Sequence, residues 1–158
     1  MRLLMMATLG LCCSVSVFAE ENCRSRISDT LISSNLVVSQ NCSIERSQVK
    51  GNIIIKPQAQ LTMTNTTISG HVEANSGFQT LYATNNVIQG NVQLTNGQSI
   101  HLVGNRINGD IDVSRVNEKI FIQNNHVGDD LNCENNSASI KGGQNYVKGD
   151  KEGQCRGL

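Results

Sequence analysis

Small aliphatic residues recur along the chain at nearly constant distances. Aligning the chain on the aliphatic residue that precedes each glycine–polar pair gives a series whose members lie about 20 residues apart, the spacing of a repeat protein. The series is Val49, Ile68, Ile88, Ile107, Val127 and Val147. In the first five repeats, two more apolar residues follow four and six positions later, as at Ile111 and Val113. Polar residues alternate with them, and this period of two predicts short strands that bury one face.

Each repeat contains a second pair with the same alternation. Its first member lies seven residues before the aliphatic residue that opens the next repeat. These pairs are Leu61/Met63, Leu81/Ala83, Ile100/Leu102, Ile120/Ile122 and Ile140/Gly142. A strand–turn–strand–turn unit repeated in register predicts stacked coils, about 4.8 Å apart and hydrogen-bonded along their strands.

The sequence therefore predicts an all-β protein, a single-stranded parallel β-helix of about 5–6 coils with about 20 residues per coil. The inward aliphatic residues would form columns in one narrow core. Such a core suits small side chains, and aromatic residues make up 3% of the chain. We assign residues 49–158 to the helix and its C-terminal cap. Residues 20–48 match the period poorly, so we expect an irregular first coil or cap there.

A polar column accompanies the aliphatic ones. Two residues before each opening aliphatic lies Thr66, Asn86, Asn105, Asn125 or Asn145. Asparagine tolerates left-handed backbone angles, and its amide can bond to neighbouring backbone groups. We therefore expect these residues to turn one corner of every coil and to hydrogen-bond from coil to coil. The recurring glycines (51, 70, 90, 109 and 149) indicate a second tight bend or a close approach of backbones.

These repeats carry a family resemblance. The segments VGNRINGDIDV (103–113) and QNNHVGDDL (123–131) resemble the turns of right-handed parallel β-helix proteins, the pectin-lyase-like superfold with its asparagine-lined corner. The last segment, GGQNYVKGDKEGQC, is similar to the closing segment of small exported bacterial β-helix proteins of unassigned function. The resemblance implies right-handed coils. For activity it implies nothing definite.

The N-terminal segment has the pattern of a secretory signal peptide. Arg2 precedes an apolar stretch that ends at Val17-Phe18-Ala19, and Glu20 follows directly. Small residues at 17 and 19 predict cleavage after Ala19. A membrane anchor is the alternative, but the apolar stretch is short for a span. We therefore expect a secreted or periplasmic protein without a membrane span.

Charge excludes one class of partner. Without Arg2 the chain has 12 basic residues (13 less one) and 13 acidic residues. It has no basic block and few aromatic residues, so nucleic acid is not an expected partner. A glycan, or an envelope or extracellular protein, is the partner class that the sequence favours, and a monomer is favoured over a polymer.

Four cysteines remain after the signal peptide, an even number that favours disulfides in an exported protein. Cys23 and Cys42 lie one repeat apart, and the separation of Cys133 and Cys155 is close to one repeat. Residues one coil apart stack within disulfide reach. We predict the pairs 23–42 and 133–155, one at each end of the helix.

An acidic face gathers towards the C-terminus and is one candidate site. One outward column contains Asn52, His71, Asn91, Asp110, Asp130 and Asp150, and the adjacent column contains Glu73, Gln93, Asp112, Asn132 and Glu152. Ca²⁺ accepts carboxylate and amide oxygens. The sequence therefore allows a calcium site at Asp110, Asp112, Asp130 and Asp150, against the simpler interpretation of a solvated acidic face. No other cofactor is expected.

A second outward column is the candidate binding strip. It contains Thr62, Tyr82, His101, Phe121 and Lys141, each between the two members of an inward pair. An exposed strip of aromatic side chains on a flat sheet suits a sugar ring, a peptide strand or another protomer. The alternative is that another segment covers it.

We expect a non-catalytic β-helix that uses this flat surface for adhesion or for glycan or protein binding. A polysaccharide-active enzyme, or a degenerate relative that uses the acidic face with Ca²⁺, is the first alternative. A self-assembling structural unit is the second. Catalytic residues are not assigned, because Arg115 and Lys119 fall in a turn away from the acidic columns, and His71, His101 and His126 occupy different coil positions.

Overall fold

The computed structural model describes residues 20–158, and the predicted signal peptide, residues 1–19, lies outside the described residues. In residues 20–158 every regular element is a strand. This part of the chain therefore contains no helix that is long and apolar enough to cross a membrane. All strand pairs are parallel, and each strand pairs with strands one coil away. The protein is a parallel β-helix of about 7 turns, slightly more than the predicted 5–6.

Three sheets run along the helix axis, and each coil contributes one strand to each sheet. The strands of sheet A are Glu20–Cys23, Asn35–Val38, Ile53–Ile55, Val72–Ala74, Val92–Thr95, Ile111–Ser114, Leu131–Glu134 and Lys151–Gly153. The strands of sheet B are Arg26–Ser28, Asn41–Glu45, Gln60–Thr64, Thr80–Thr84, Ser99–Val103, Lys119–Gln123 and Ile140–Gly143. The strands of sheet C are Leu31–Ile32, Gln48–Val49, Thr67–Ile68, Val87–Ile88, Arg106–Ile107, His126–Val127 and Tyr146–Val147.

The predicted columns form the core. Ile100 pairs with Leu81 on one side and Ile120 on the other, and all three side chains are buried. The opening aliphatic residues are the inward residues of sheet C, and most of them are fully buried. The columns loosen in the last coil, where Ile140 and Val147 are half-buried.

Residues 20–48, where an irregular first coil or cap is expected, form strands that join all three sheets in parallel register. Their coils are shorter than the later ones, since Glu20 already pairs with Asn35 and Leu36 with Ile53. Because the turns between their strands are shorter, these coils contain fewer residues than one repeat, although their strands still pair in register. A search for a fixed sequence period therefore misses these coils.

The asparagine column at the corner between sheets B and C is a buried hydrogen-bonded ladder. Oδ1 of Asn125 accepts both the backbone N–H and the side-chain amide of Asn105, each at 3.0 Å. Asn105 and Asn86 repeat this arrangement one coil earlier. The predicted coil-to-coil hydrogen bonds are confirmed. The predicted left-handed angle lies one residue earlier, at Asn85 (φ 54°) and Asn124 (φ 56°).

Both predicted cysteine pairs are at disulfide distance, with Cα–Cα separations of 5.9 Å for Cys23–Cys42 and 5.2 Å for Cys133–Cys155. The geometric reason differs from the one expected. Cys133 stacks on Gly153, so Cys155 lies beyond the stacked position and the pair crosses a turn. Near the C-terminal end Cys155 is buried and Leu158 packs against the core.

Candidate functional site

The predicted strip forms one straight column on the outer face of sheet B. Thr62 pairs with Tyr82, Tyr82 with His101, His101 with Phe121, and Phe121 with Lys141. Tyr82 is the most open of the aromatic side chains in this column, 48% exposed, while His101 and Phe121 are half-buried. The alternation of inward and outward residues in five-residue strands places this column at the centre of the sheet. The structure brings the strip together as the sequence predicts.

The rings within the column pack against one another. The His101 and Phe121 centroids are 4.9 Å apart and their planes differ by 13°, so one face of each ring is turned towards the other. Tyr82 meets His101 at 5.5 Å with a tilt of 49°. Both distances fall in the favourable range for aromatic pairs. Partial burial lowers the pKa of His101, and the nearby positive charge of Lys119 lowers it further. Both effects favour the neutral form of the imidazole.

Small polar side chains flank the column on both sides. Thr80 and Ser99 stack along one side, and Thr64 and Thr84 stack along the other. The outward side chains of Gln60–Thr64, Thr80–Thr84 and Ser99–Val103 include no formally charged residue. The middle of this face is therefore flat and neutral, with aromatic rings between rows of hydroxyl groups.

The acidic column has a structural use. Oδ1 of Asp110 accepts the backbone N–H of Asp130 at 3.0 Å, and Oδ1 of Asp130 accepts that of Asp150 at 2.8 Å. Earlier coils use Asn35, Asn52, His71 and Asn91 in the same way. This second ladder turns the corner between sheets C and A. The recurring glycines lie beneath it: a Cβ on Gly90 would come 2.6 Å from Nδ1 of His71.

The structure does not assemble the four predicted calcium ligands into a metal centre. Asp110, Asp130 and Asp150 belong to the corner ladder, whereas Asp112 lies in sheet A, in register with Asn132. Within residues 20–158, no three or more histidine, cysteine, aspartate or glutamate side chains are grouped so that they could hold a metal ion. Partial burial raises the pKa of Asp112, and the negative charge of Asp110 raises it further.

A second aromatic pair was missed by the sequence analysis. His126 and Tyr146 are register partners in sheet C, with centroids 4.5 Å apart and planes 22° apart. Tyr146 is 59% exposed. Both residues directly precede an opening aliphatic, so the repeat alignment contained the signal. Their neighbour on the preceding coil is Arg106, which makes this column positively charged, unlike the middle of sheet B.

The three histidines are dispersed, as expected, whereas Lys119 does not lie in the predicted turn but begins the strand Lys119–Gln123 of sheet B. His71 belongs to the corner ladder, His101 to sheet B and His126 to sheet C. Arg115 lies in the turn between sheets A and B, where its Nε donates to Asn96 Oδ1 at 2.9 Å.

An open depression of about 490 Å³ lies near the N-terminal end of the helix. Its charged residues, Asp29 and Arg46, are bound to each other at 2.9 Å. The two charges therefore satisfy one another, and the depression offers no free ionic partner to a ligand.

No family model, curated protein or solved structure that was compared with the chain matches it. On sheet B, aromatic and hydroxyl side chains lie side by side on the outer face.

Proposed function

We propose that the protein is a non-catalytic β-helix that binds neutral carbohydrate through the outer face of sheet B, in the periplasm or outside the cell. One observation carries the proposal: the exposed Tyr82 and its neighbour His101 lie among threonine and serine hydroxyls on three strands whose outward side chains carry no formal charge. Sugars present apolar C–H faces and a rim of hydroxyl groups. A neutral surface with rings and hydroxyls complements both features.

The charge of the surfaces favours this assignment over binding an acidic polymer. An acidic glycan needs cationic partners, and the strands Gln60–Thr64, Thr80–Thr84 and Ser99–Val103 around Tyr82 carry none, because Lys119 and Lys141 belong to the next two strands of sheet B. The acidic residues lie on another part of the helix, where Asp110 and Asp130 are engaged with backbone N–H groups. The disulfides Cys23–Cys42 and Cys133–Cys155 suit an oxidising compartment, in which cell-surface and environmental glycans are accessible.

Binding to insoluble and soluble neutral polysaccharides tests the proposal. The purified protein is compared with a Tyr82→Ala/Phe121→Ala variant in pull-down and affinity electrophoresis. The matched control is His126→Ala/Tyr146→Ala, which removes the aromatic pair of sheet C and leaves sheet B intact. We expect retention by polysaccharide in the wild type and the control, and its loss in the sheet B variant. Equal retention of all three proteins, or loss only in the sheet C variant, contradicts the proposal.

A further inference from the structure

The outer face of sheet B changes height where its aromatic column ends. The register partner of Tyr82 towards the N-terminus is Thr62, and the partner of Thr62 is Ser43. The surface therefore drops from a large ring to two short hydroxyl side chains. An open depression of about 340 Å³ lies over this lower part, and Ser43 and Thr62 line it. Its volume is at the lower end of the range for small-molecule sites.

Tyr82 lies beside this depression as the register neighbour of Thr62 and does not itself line it. On the side away from Thr62 its ring packs against His101, with the centroids 5.5 Å apart and the planes tilted by 49°. Thr62 is a much shorter side chain than His101. The 48% exposure of Tyr82 is consistent with a ring that is covered on one side. His101 and Phe121 differ, because each turns a face towards the other.

The residues that line the depression are uncharged, and they include Cys42 of the N-terminal disulfide. Besides Ser43 and Thr62 they also include Asn41 and Gln60, both exposed. Nε2 of Gln60 donates to Oε1 of Gln79 at 2.5 Å, which leaves Oε1 of Gln60 as an acceptor with a fixed orientation.

The charged residues at the N-terminal end of this face neutralise each other. Arg26 and Glu45 form an ion pair at 2.8 Å. The depression therefore has no unpaired charge at this edge, which suits a neutral ligand better than an ionic one.

We propose that the step from Tyr82 to Thr62 and Ser43 is a subsite for one pyranose ring of a neutral glycan, an inference that rests on the proposed function. The apolar face of the sugar packs on the open face of Tyr82. Its hydroxyls donate to Oε1 of Gln60 and exchange hydrogen bonds with the hydroxyls of Thr62 and Ser43. His101 supports the ring from behind and does not contact the sugar face.

Isothermal titration with cellotetraose, mannotetraose and the tetramer of N-acetylglucosamine tests this subsite. Tyr82→Ala removes the step, and Thr62→Trp fills the depression and covers the open face of Tyr82. We expect each to weaken binding at least about tenfold, the effect of removing an aromatic anchor. Tyr82→Phe keeps the ring, and Phe121→Leu changes the column away from the depression. Each should therefore weaken binding clearly less than Tyr82→Ala does, because the packing face of Tyr82 stays in place. Thermal melting verifies that each variant is folded.

The outcomes separate the subsite from the wider function. If Phe121→Leu weakens binding as much as Tyr82→Ala, or if folded Thr62→Trp binds normally, the subsite is wrong while sheet B remains the binding face. If one tetrasaccharide binds and no sheet B variant changes its affinity, the proposed function is wrong as well. Failure of all three sugars to bind at millimolar concentration also overturns both. Loss of binding in Tyr82→Ala and Thr62→Trp alone supports both the subsite and the proposed function.

Discussion

Oδ1 of Asn125 accepts two hydrogen bonds from Asn105, one from its backbone N–H and one from its side-chain amide, both at 3.0 Å. Asn105 and Asn125 are 2% and 1% exposed. The same amide of Asn105 also donates to the carbonyl of Ala83 at 2.8 Å. Each buried asparagine therefore joins two neighbouring coils, and removal of one leaves several buried polar groups without partners.

The first prediction concerns this ladder. Asn105→Ala should lower the free energy of unfolding by about 2–4 kcal/mol. An unpaired buried donor or acceptor costs about 1–3 kcal/mol, and the substitution leaves more than one buried group without a hydrogen-bond partner. The backbone N–H of Asn86 loses its acceptor, and the carbonyl of Ala83 loses its donor. Urea unfolding measures the change. Asn108→Ala, at a nearby exposed position, is the control and should change stability by less than about 0.5 kcal/mol. Similar effects of the two variants would refute the role of the ladder.

The second prediction concerns a buried aromatic ring. Phe78 is fully buried, and a Cβ added to Gly97 on the next coil would overlap its ring. Gly97→Ala should therefore destabilise the protein by about 1–3 kcal/mol, the usual cost of overpacking a core. Phe78→Leu should reduce this cost when the two changes are combined. Gly157→Ala, where an added Cβ would meet nothing within 4 Å, is the matched control for thermal unfolding. Additive effects of the two core changes would contradict the proposed overlap.

The third prediction concerns pH. Because the pKa of Asp112 is raised by partial burial and by Asp110, the folded protein binds this proton more tightly than the unfolded chain. Its contribution to stability is therefore present at low pH and is lost as the pH rises through the raised pKa. Asp112→Asn should stabilise the protein at pH 7 by no more than about 0.5 kcal/mol, since solvent screens a half-buried group. The gain should disappear at acid pH.

Asp29 is a control of opposite sign for this experiment. Its pKa is lowered by the hydrogen bonds from Arg46, so its contribution is present above the ordinary aspartate pKa and is lost as the pH falls. Asp29→Asn should therefore destabilise the protein at pH 7, and the difference from the wild type should fade towards acid pH. Urea unfolding from acid to neutral pH measures both variants. If the stability difference from the wild type changes with pH in the same direction for Asp112→Asn and Asp29→Asn, the opposite pKa shifts assigned to the two residues are wrong.

The fourth prediction concerns the C-terminal disulfide. Replacing Cys133 and Cys155 with alanine should lower stability by about 3 kcal/mol, the typical value for a disulfide that closes a loop of this size. Because Lys151–Gly153 pairs with only one neighbouring strand, hydrogen exchange should show lost protection there first. Central strands such as Ser99–Val103 should retain theirs. Uniform loss of protection along the chain would contradict local fraying. In the wild type, the amides of Lys151–Gly153 should lose their protection from hydrogen exchange only after a reductant is added.

Much of the fold follows from the sequence, and particular residues show why. Ile100 and Ile120 occupy one position in consecutive repeats, and parallel pairing in register places them in contact. The same logic aligns the aromatic column of sheet B on the opposite face, because side chains alternate along a strand. The disulfide pairs could be predicted because a separation near one repeat brings two cysteines close, although Cys133 stacks on Gly153 and not on Cys155. The first coils could not, because the step from Glu20 to its partner Asn35 is shorter than a repeat and falls outside the period.

The sequence by itself determined the period, and with it the stacking of the coils, the inward columns and the membership of each outward column. Only the tertiary structure decided what the polar side chains do within those columns. Whether Asp110 binds an ion or a backbone N–H depends on its rotamer and on the corner beneath it. Whether Tyr82 presents a free ring face depends on how its ring packs against His101 and on the height of Thr62. A repeat specifies the direction of a side chain, while its partners depend on distances and ring orientations that exist only once the coils are stacked.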